Sequence, residues 1–260
     1  MHPAPRPRRD RTYRVVIALF RIVFRALGLR FDVRGAQHLP ADGAAVLACN
    51  HLSYLDFTFV GLAALPRKRL IRFMAKKSTF DHAVSGPLMR AMWHVPVDRE
   101  SGAAAYRIAA RRLAAGELVG VFPEATISRS WTLKSFKRGA ATLAVRERVP
   151  LVPVVLWAPQ RTFTVDRHYS VRRGKTIMVL LGEPLRPAPT DDPHAVDETL
   201  RARMRELLDV ADREYPDRPA GEGDRWWLPA ARGGTAPTLE QAAVLETAAR
   251  ERRAAKRAGR

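Results

Sequence analysis

Along most of this chain, short continuous apolar runs alternate with longer stretches in which apolar residues recur every three or four positions. The runs at 29–33, 45–49, 69–75, 94–97, 118–122, 151–157 and 176–181 read as strands. The stretches at 57–65, 85–93, 103–115, 140–146 and 197–215 read as helices. Strand–helix alternation of this kind predicts an α/β fold, a layered, mixed and largely parallel sheet flanked by helices.

The two ends follow other patterns. Residues 13–29 predict an amphipathic helix: Val15, Leu19, Ile22, Val23 and Leu27, with Phe20 and Phe24, make a wide apolar face, while Arg14, Arg21 and Arg25 share another side. That pattern suits a helix lying in a membrane interface, and equally one packed on the domain with its Arg heads in water. Over 216–237 the composition shifts to Pro, Gly and Arg, as in a linker or extended arm, although Trp226 and Trp227 call for a partner on the domain or on lipid. From 239 onward Ala, Arg and Glu predict a polar helix that frays. The expected organisation is a basic leader and interface helix over 1–30, a main domain over 31–215, and an arm with a basic helical tail over 216–260.

Charge narrows the partners. The 260 residues carry 45 Lys+Arg against 26 Asp+Glu, a formal net charge of +19. Such an excess implies an anionic partner: nucleic acid, an anionic bilayer or a phosphorylated substrate. Zinc-finger spacing, an aromatic RNA-binding pattern and a basic zipper are all missing, so a basic nucleic-acid-binding protein is the rival class and no nucleic-acid partner is expected. The one cysteine, Cys49, lies in an apolar run and is expected to be a buried, inert thiol. Arg21 and Arg25 interrupt the apolar run behind the basic leader, and no segment is apolar for long enough to predict a signal sequence or a transmembrane helix.

Candidate chemistry concentrates in Asn50-His51-Leu52-Ser53-Tyr54-Leu55-Asp56, between a predicted strand and a predicted helix. An Asp at a helix start is stabilised by the helix dipole and free backbone donors. It can also hold one imidazole nitrogen and leave the other to take a proton. A surface His beside a helix-capping Asp fits the same spacing. Ser53 has no partner to activate it, and no G-x-S-x-G elbow occurs. His82, His94, His168 and His194 show no ligand spacing, so no metal is expected.

Three further segments end or begin predicted strands: Val97-Asp98-Arg99, Phe122-Pro123-Glu124-Ala125-Thr126-Ile127-Ser128 with Phe136-Lys137-Arg138-Gly139 beyond it, and Val149-Pro150-Leu151-Val152-Pro153-Val154. Loops at strand ends of an α/β sheet converge on one crevice, where Arg99, Arg129, Lys137 and Arg138 can meet a phosphate together with the helix start at Gly139. Taken in order, these segments resemble the four motifs of the glycerolipid acyltransferase family. Asn50, His51 and Asp56 match its N-H-x-x-x-x-D, Asp98-Arg99 its second motif, Phe122 to Ser128 its F-P-E-G-T-R-S in part, and Val149 to Val154 its V-P-x-x-P-V. The resemblance covers about residues 35 to 185. Two departures stand out: Ala125 replaces the usual Gly, which points to a less sharp turn, and Ile127 replaces the usual Arg, a residue associated with the substrate phosphate.

The resemblance implies transfer of a fatty acyl group from acyl-CoA or acyl carrier protein, a thioester co-substrate with no other cofactor, to a hydroxyl. His51 is then the base and Asp56 its orienting carboxylate; Asn50, Arg99, Glu124, Thr126, Arg129, Lys137 and Arg138 are the expected binding residues, with Arg129 supplying the charge missing at Ile127. The implied acceptor is a lysophospholipid, 1-acylglycerol-3-phosphate first, in phospholipid biosynthesis. A glycolipid or another lysolipid is the alternative, and a relative that binds lipid without turnover a further one. Phe57, Phe59, Leu62, Met89, Met92 and Trp93 are candidates for an acyl groove. The expected location is the cytoplasmic face of the plasma membrane, peripheral or monotopic, on an anionic surface.

Overall fold

The computed structural model describes residues 10–98, 102–167 and 169–258. Strands β1 (Arg30–Arg34), β2 (Ala45–Cys49), β3 (Ile71–Lys76), β4 (Val95–Val97), β5 (Leu118–Val121), β6 (Leu151–Trp157) and β7 (Thr176–Leu181) form one sheet in the order β1-β7-β6-β2-β5-β3-β4. Neighbours are parallel except β6 and β7, which run antiparallel. The helices are α1 (Arg11–Ala26), α2 (Asp56–Ala63), α3 (Lys77–Asp81), α4 (Ser85–Ala91), α5 (Gly102–Ala114), α6 (Gly139–Glu147), α7 (Pro193–Glu214) and α8 (Leu239–Ala258). The α/β layered sheet expected from the alternation is thus present, with its N-terminal helix.

Each central strand is buried on both faces, which is why it is a continuous apolar run in sequence. Along β2, Val46 and Ala48 point into the core beneath α5, α6 and α7, while Ala45, Leu47 and Cys49 point into the core beneath α1 and α2. Pro153 is tolerated inside β6 because it falls where the β7 ladder stops: the Gly182 N–H donates to the Pro153 carbonyl, and no donor is asked of residue 153. Cys49 is buried and its thiol pKa is pushed up by burial, the inert state expected of it.

α1 divides into three sectors. Tyr13 and Phe24 are buried against the body, and the Tyr13 hydroxyl donates to the Ile71 carbonyl at 2.8 Å. Asp10, just before the helix, pairs with the buried Arg72 at 3.0 Å, which also holds Glu117 at 2.9 Å. Arg14, Arg21 and Arg25 are exposed along a second sector. Val15, Leu19 and Ile22 form a third that is apolar and yet open to solvent, at 66%, 59% and 67% exposure. Among the described residues no helix is long and apolar enough to cross a membrane.

The segment over 216–237 lies on the domain. Trp227 is buried edge-on to Tyr215, its ring 4.4 Å beneath the Arg161 guanidinium, and its carbonyl accepts from Gln160 at 2.8 Å. The Trp226 carbonyl accepts from Trp131 Nε1 at 2.8 Å. Of the two partners weighed for these tryptophans, the domain is the one seen here.

A buried histidine sets an acid limit. His94 Nδ1 accepts the Phe73 N–H at 3.0 Å, and the ring lies edge-on to Tyr13, Phe57 and Phe73. Burial first, and then the Arg72 charge, push its pKa down to about 3. In the unfolded chain it titrates near 6.5, so between about pH 6.5 and 3 the unfolded state binds the extra proton and stability falls as pH falls, by about 1.4 kcal/mol per unit of separation. His94→Asn, which keeps an acceptor without the titration, is expected to flatten that acid limb. Urea titrations across this window check it; equal slopes for both proteins would assign the limb to other groups.

Candidate active site

The loop that leaves β2 is held from every side. The Asn50 amide continues the β2–β6 ladder, donating to the Leu156 carbonyl at 3.0 Å and accepting the Leu156 N–H at 2.7 Å. Asn50 therefore braces the turn, with its amide engaged by backbone. The Ser128 N–H donates to the His51 carbonyl at 2.8 Å, Thr164 Oγ1 to the Leu52 carbonyl at 2.6 Å, and Ser53 Oγ to the Phe163 carbonyl at 2.5 Å. One loop is thus tied to the turn after β5 and the turn after β6.

On this loop His51 Nδ1 meets Asp56 Oδ2 at 2.9 Å. Asp56 is the first residue of α2 and fully buried, but its side chain does not cap that helix. Oδ2 instead accepts the Leu52 and Ser53 N–H groups at 2.6 and 2.8 Å, closing the loop that carries His51. Burial raises the Asp56 pKa, and the hydrogen bond from His51 works against that rise. The imidazole is 22% exposed and stacks on Phe122 at 4.4 Å. With Nδ1 engaged by Asp56, Nε2 is the ring nitrogen turned away from that carboxylate. The stack continues from Phe122 to Phe73 at 5.9 Å, and Phe73 fits there because Gly120 lies beneath it: a Cβ at residue 120 would stand 2.5 Å from the Phe73 ring.

The turn after β5 supplies the next layer. Glu124 is buried and spans two loops, Oε1 accepting the His51 N–H at 3.1 Å and Oε2 the Lys134 N–H at 3.2 Å. Burial pushes its pKa up to about 8. Ala125 closes the turn in left-handed backbone, with φ at 61° and its N–H on the Phe122 carbonyl at 3.0 Å. The departure from glycine leaves an alanine in that conformation, at a cost of about 1–2 kcal/mol. Ile127 is buried in an apolar cluster with Leu52, Trp131, Val165 and Ala236, packed against Trp226.

The expected anion-binding residues part ways. Arg129 is buried and bidentate on Asp166, at 2.8 and 2.9 Å. Thr126 Oγ1 accepts from Lys134 Nζ, which pairs with Glu246 of α8 at 2.8 Å. Lys137 and Arg138 stand exposed at the start of α6, with Arg138 near enough to Asp197 of α7 to lower that carboxyl's pKa against the dominant effect of burial. Arg99 lies outside the described residues. Lys134 and Glu246 were not among the sequence candidates; the position of Lys134 between the Phe-Pro-Glu turn and α6 was the one available signal.

Of the acyl-groove candidates, Phe57, Leu62 and Met92 line an apolar crevice with Tyr13, Val16, Ile17 and Phe20 of α1, its free space about 20 Å³, room for a single water. Phe59 and Met89 are core, and Trp93 lies half-exposed under the Arg112 guanidinium. Among the described residues no three His, Cys, Asp or Glu side chains come together as a metal site.

The largely parallel sheet, with a His–Asp turn after β2 and a Phe-Pro-Glu turn after its neighbour β5, carries the ordered motifs of an acyltransferase, and the comparisons with known proteins give that class. The chain belongs to the acyltransferase family, whose model, described as Acyltransferase, matches residues 30–157. It is 31% identical over 207 residues to the 1-acyl-sn-glycerol-3-phosphate acyltransferase of Bacillus subtilis (strain 168), covering 77% of this chain and 98% of that one. It is 28% identical over 201 residues to the 1-acyl-sn-glycerol-3-phosphate acyltransferase alpha of Homo sapiens, covering 76% and 69%. The crystal structure of the 1-acyl-sn-glycerophosphate (LPA) acyltransferase from Thermotoga maritima shares the fold, with a TM-score of 0.65 at 20% identity over 82% of this chain and 86% of that one.

Proposed function

We propose that this enzyme moves a fatty acyl group from an acyl-CoA or acyl carrier protein thioester to the free hydroxyl of 1-acylglycerol-3-phosphate, in phospholipid biosynthesis. The observation that carries the reading is the 2.9 Å hydrogen bond from His51 Nδ1 to the buried Asp56, which leaves Nε2 for the acceptor. His51 Nε2 takes the hydroxyl proton as the oxygen attacks the thioester carbonyl, forming the ester bond. The C–S bond then breaks, and the leaving thiolate takes the proton back from the imidazolium. Asp56 keeps the proton on Nδ1 before the step and stabilises the imidazolium during it. The names of the relatives supply the acceptor, and the positive surface suits its phosphate.

The same reading places the enzyme on an anionic bilayer, peripheral or monotopic, at the cytoplasmic face of the plasma membrane. The apolar stripe of Val15, Leu19 and Ile22 beside the exposed Arg14, Arg21 and Arg25 supports it. Tyr169 and Val171 are also exposed, on a loop whose end approaches the end of α1: a Cβ at Gly28 would lie 3.4 Å from the Gly174 nitrogen.

Ile127 favours a second reading, a different acceptor for the same chemistry, because an aliphatic side chain in an apolar cluster cannot bind phosphate. Acyl transfer measured with an acyl-CoA and an acyl carrier protein donor against lysophosphatidate, other lysophospholipids and glycolipids separates the two. Lysophosphatidate is expected to give the highest kcat/KM, and a glycolipid preferred over it would replace the first reading with the second.

A further inference from the structure

The cation missing at residue 127 has a counterpart elsewhere. Lys134 reaches the active-site turn from the far side: its backbone shares the Glu124 carboxylate with the His51 N–H, so the two residues lie on opposite ends of one bridging side chain. Its ammonium rests on the Thr126 hydroxyl, on the same turn as Glu124. Among the described residues, the carboxylate that meets it is Glu246, from the C-terminal helix α8, with Oε1 at 2.8 Å from Nζ and Oε2 3.5 Å from the Thr126 hydroxyl. Glu246 also lies near Arg129, whose pKa is raised by Asp166 first and by Glu246 as well. A carboxylate thus sits where an ammonium and a hydroxyl come together, with the positive charge of Arg129 nearby. Lys134 is 14% and Glu246 22% exposed, so each has given up most of its water for the other.

The cover that brings Glu246 there is built on Ile127. Leu52 from the His51 loop, Ile127 and Trp131 from the turn after β5, and Ala236 from the C-terminal arm form one apolar cluster, and Trp131 Nε1 donates to the Trp226 carbonyl. An arginine at 127 would have to bring its charge into this apolar cluster, at a desolvation cost. The same substitution that removes the usual cation therefore gives the C-terminal arm its seat.

We propose that Lys134 and Thr126 bind the anionic headgroup of the acceptor, and that Glu246 occupies their site in the resting enzyme as an internal competitor carried by the C-terminal helix. This rests on the acyl-transfer reading above and names the group that recognises its phosphate. Acceptor binding then requires Glu246 to yield, so α8 tunes acceptor affinity without touching the His51–Asp56 pair.

Opposite signs test it. In the full chain, Lys134→Met is expected to raise the KM for vesicle-borne lysophosphatidate by roughly tenfold to a hundredfold, the effect of a lost hydrogen bond to a charged group. Glu246→Gln, which keeps the size of the side chain, is expected to lower that KM severalfold. Neither changes the donor KM, and glycerol 3-phosphate inhibits the Glu246 variant at a lower concentration than wild type. The double variant behaves as Lys134→Met alone. If Glu246→Gln leaves the acceptor KM unchanged, or raises it together with a lower Tm, the pair is a structural strut and the proposal is overturned. A wild-type enzyme that acylates a neutral acceptor but no phosphate-bearing one overturns the substrate reading and this proposal with it.

Discussion

Replacing His51 by alanine is expected to lower acyl transfer by about a hundredfold to ten-thousandfold, the range for loss of a positioned general base. The fold should survive. The imidazole is partly exposed, and the loop beneath it is held by Asn50, Ser53, Thr164 and Glu124 rather than by the ring itself. Asp56→Asn separates orientation from proton transfer. Asp56 Oδ2 accepts from the imidazole and from two backbone N–H groups, and an asparagine offers one acceptor oxygen and turns an NH2 toward whatever else it meets. Turnover should fall heavily through the wrong tautomer, as when the orienting carboxylate of a catalytic histidine is neutralised. Some stability should go with it, since the site is buried. Single-turnover rates with a thioester donor, paired with thermal melts, distinguish chemistry from folding. Near-wild-type turnover in a folded His51→Ala protein would remove His51 from the mechanism.

Reversing Arg14, Arg21 and Arg25 to Glu is expected to weaken binding to anionic vesicles by at least a hundredfold at low salt. Each basic residue near an anionic surface contributes about 1 kcal/mol, and three make roughly a hundredfold before the added repulsion is counted. At high salt the difference should shrink, because exposed charges are screened within about 10 Å at 0.1 M. The apolar stripe of Val15, Leu19 and Ile22 supplies a part that salt does not screen. The fold should tolerate the change, since the contacts that hold α1 come from Tyr13, Phe24 and the Asp10–Arg72 pair, in another sector. Vesicle cosedimentation across a salt series checks both parts. Equal binding by the variant at low salt would make α1 a packing helix and place the membrane contact elsewhere.

Much of the architecture was legible because the central strands are buried on both faces. Their apolar runs are unbroken, so 45–49, 151–157 and 176–181 coincide with β2, β6 and β7. Helix ends shifted by a few residues, most at α7, where Asp192 caps a helix that begins at Pro193 and the periodicity alone pointed to 197. α3 was not expected: five residues with only Phe80 buried carry no readable period. The antiparallel turn of β7 against β6 was equally hidden, since direction is a property of the connection rather than of the strand.

The His–Asp pair was legible from sequence because its chemistry is local. Two residues five apart at a strand-to-helix turn lie within reach of each other by local geometry, although distant turns brace the loop that carries them. The amphipathic character of α1 was likewise a property of its spacing. Only the folded chain decided which apolar residues of α1 face the core and which face outward, because both sets are equally apolar and the neighbours alone tell them apart. Only the folded chain engaged Arg129 with Asp166, filled the place of an arginine with Ile127 and an arm, and brought Glu246 to Lys134 across 112 residues. A charge acts through whatever lies within a few ångströms of it, and for these groups that distance is set by the packing of distant segments, which no local pattern records.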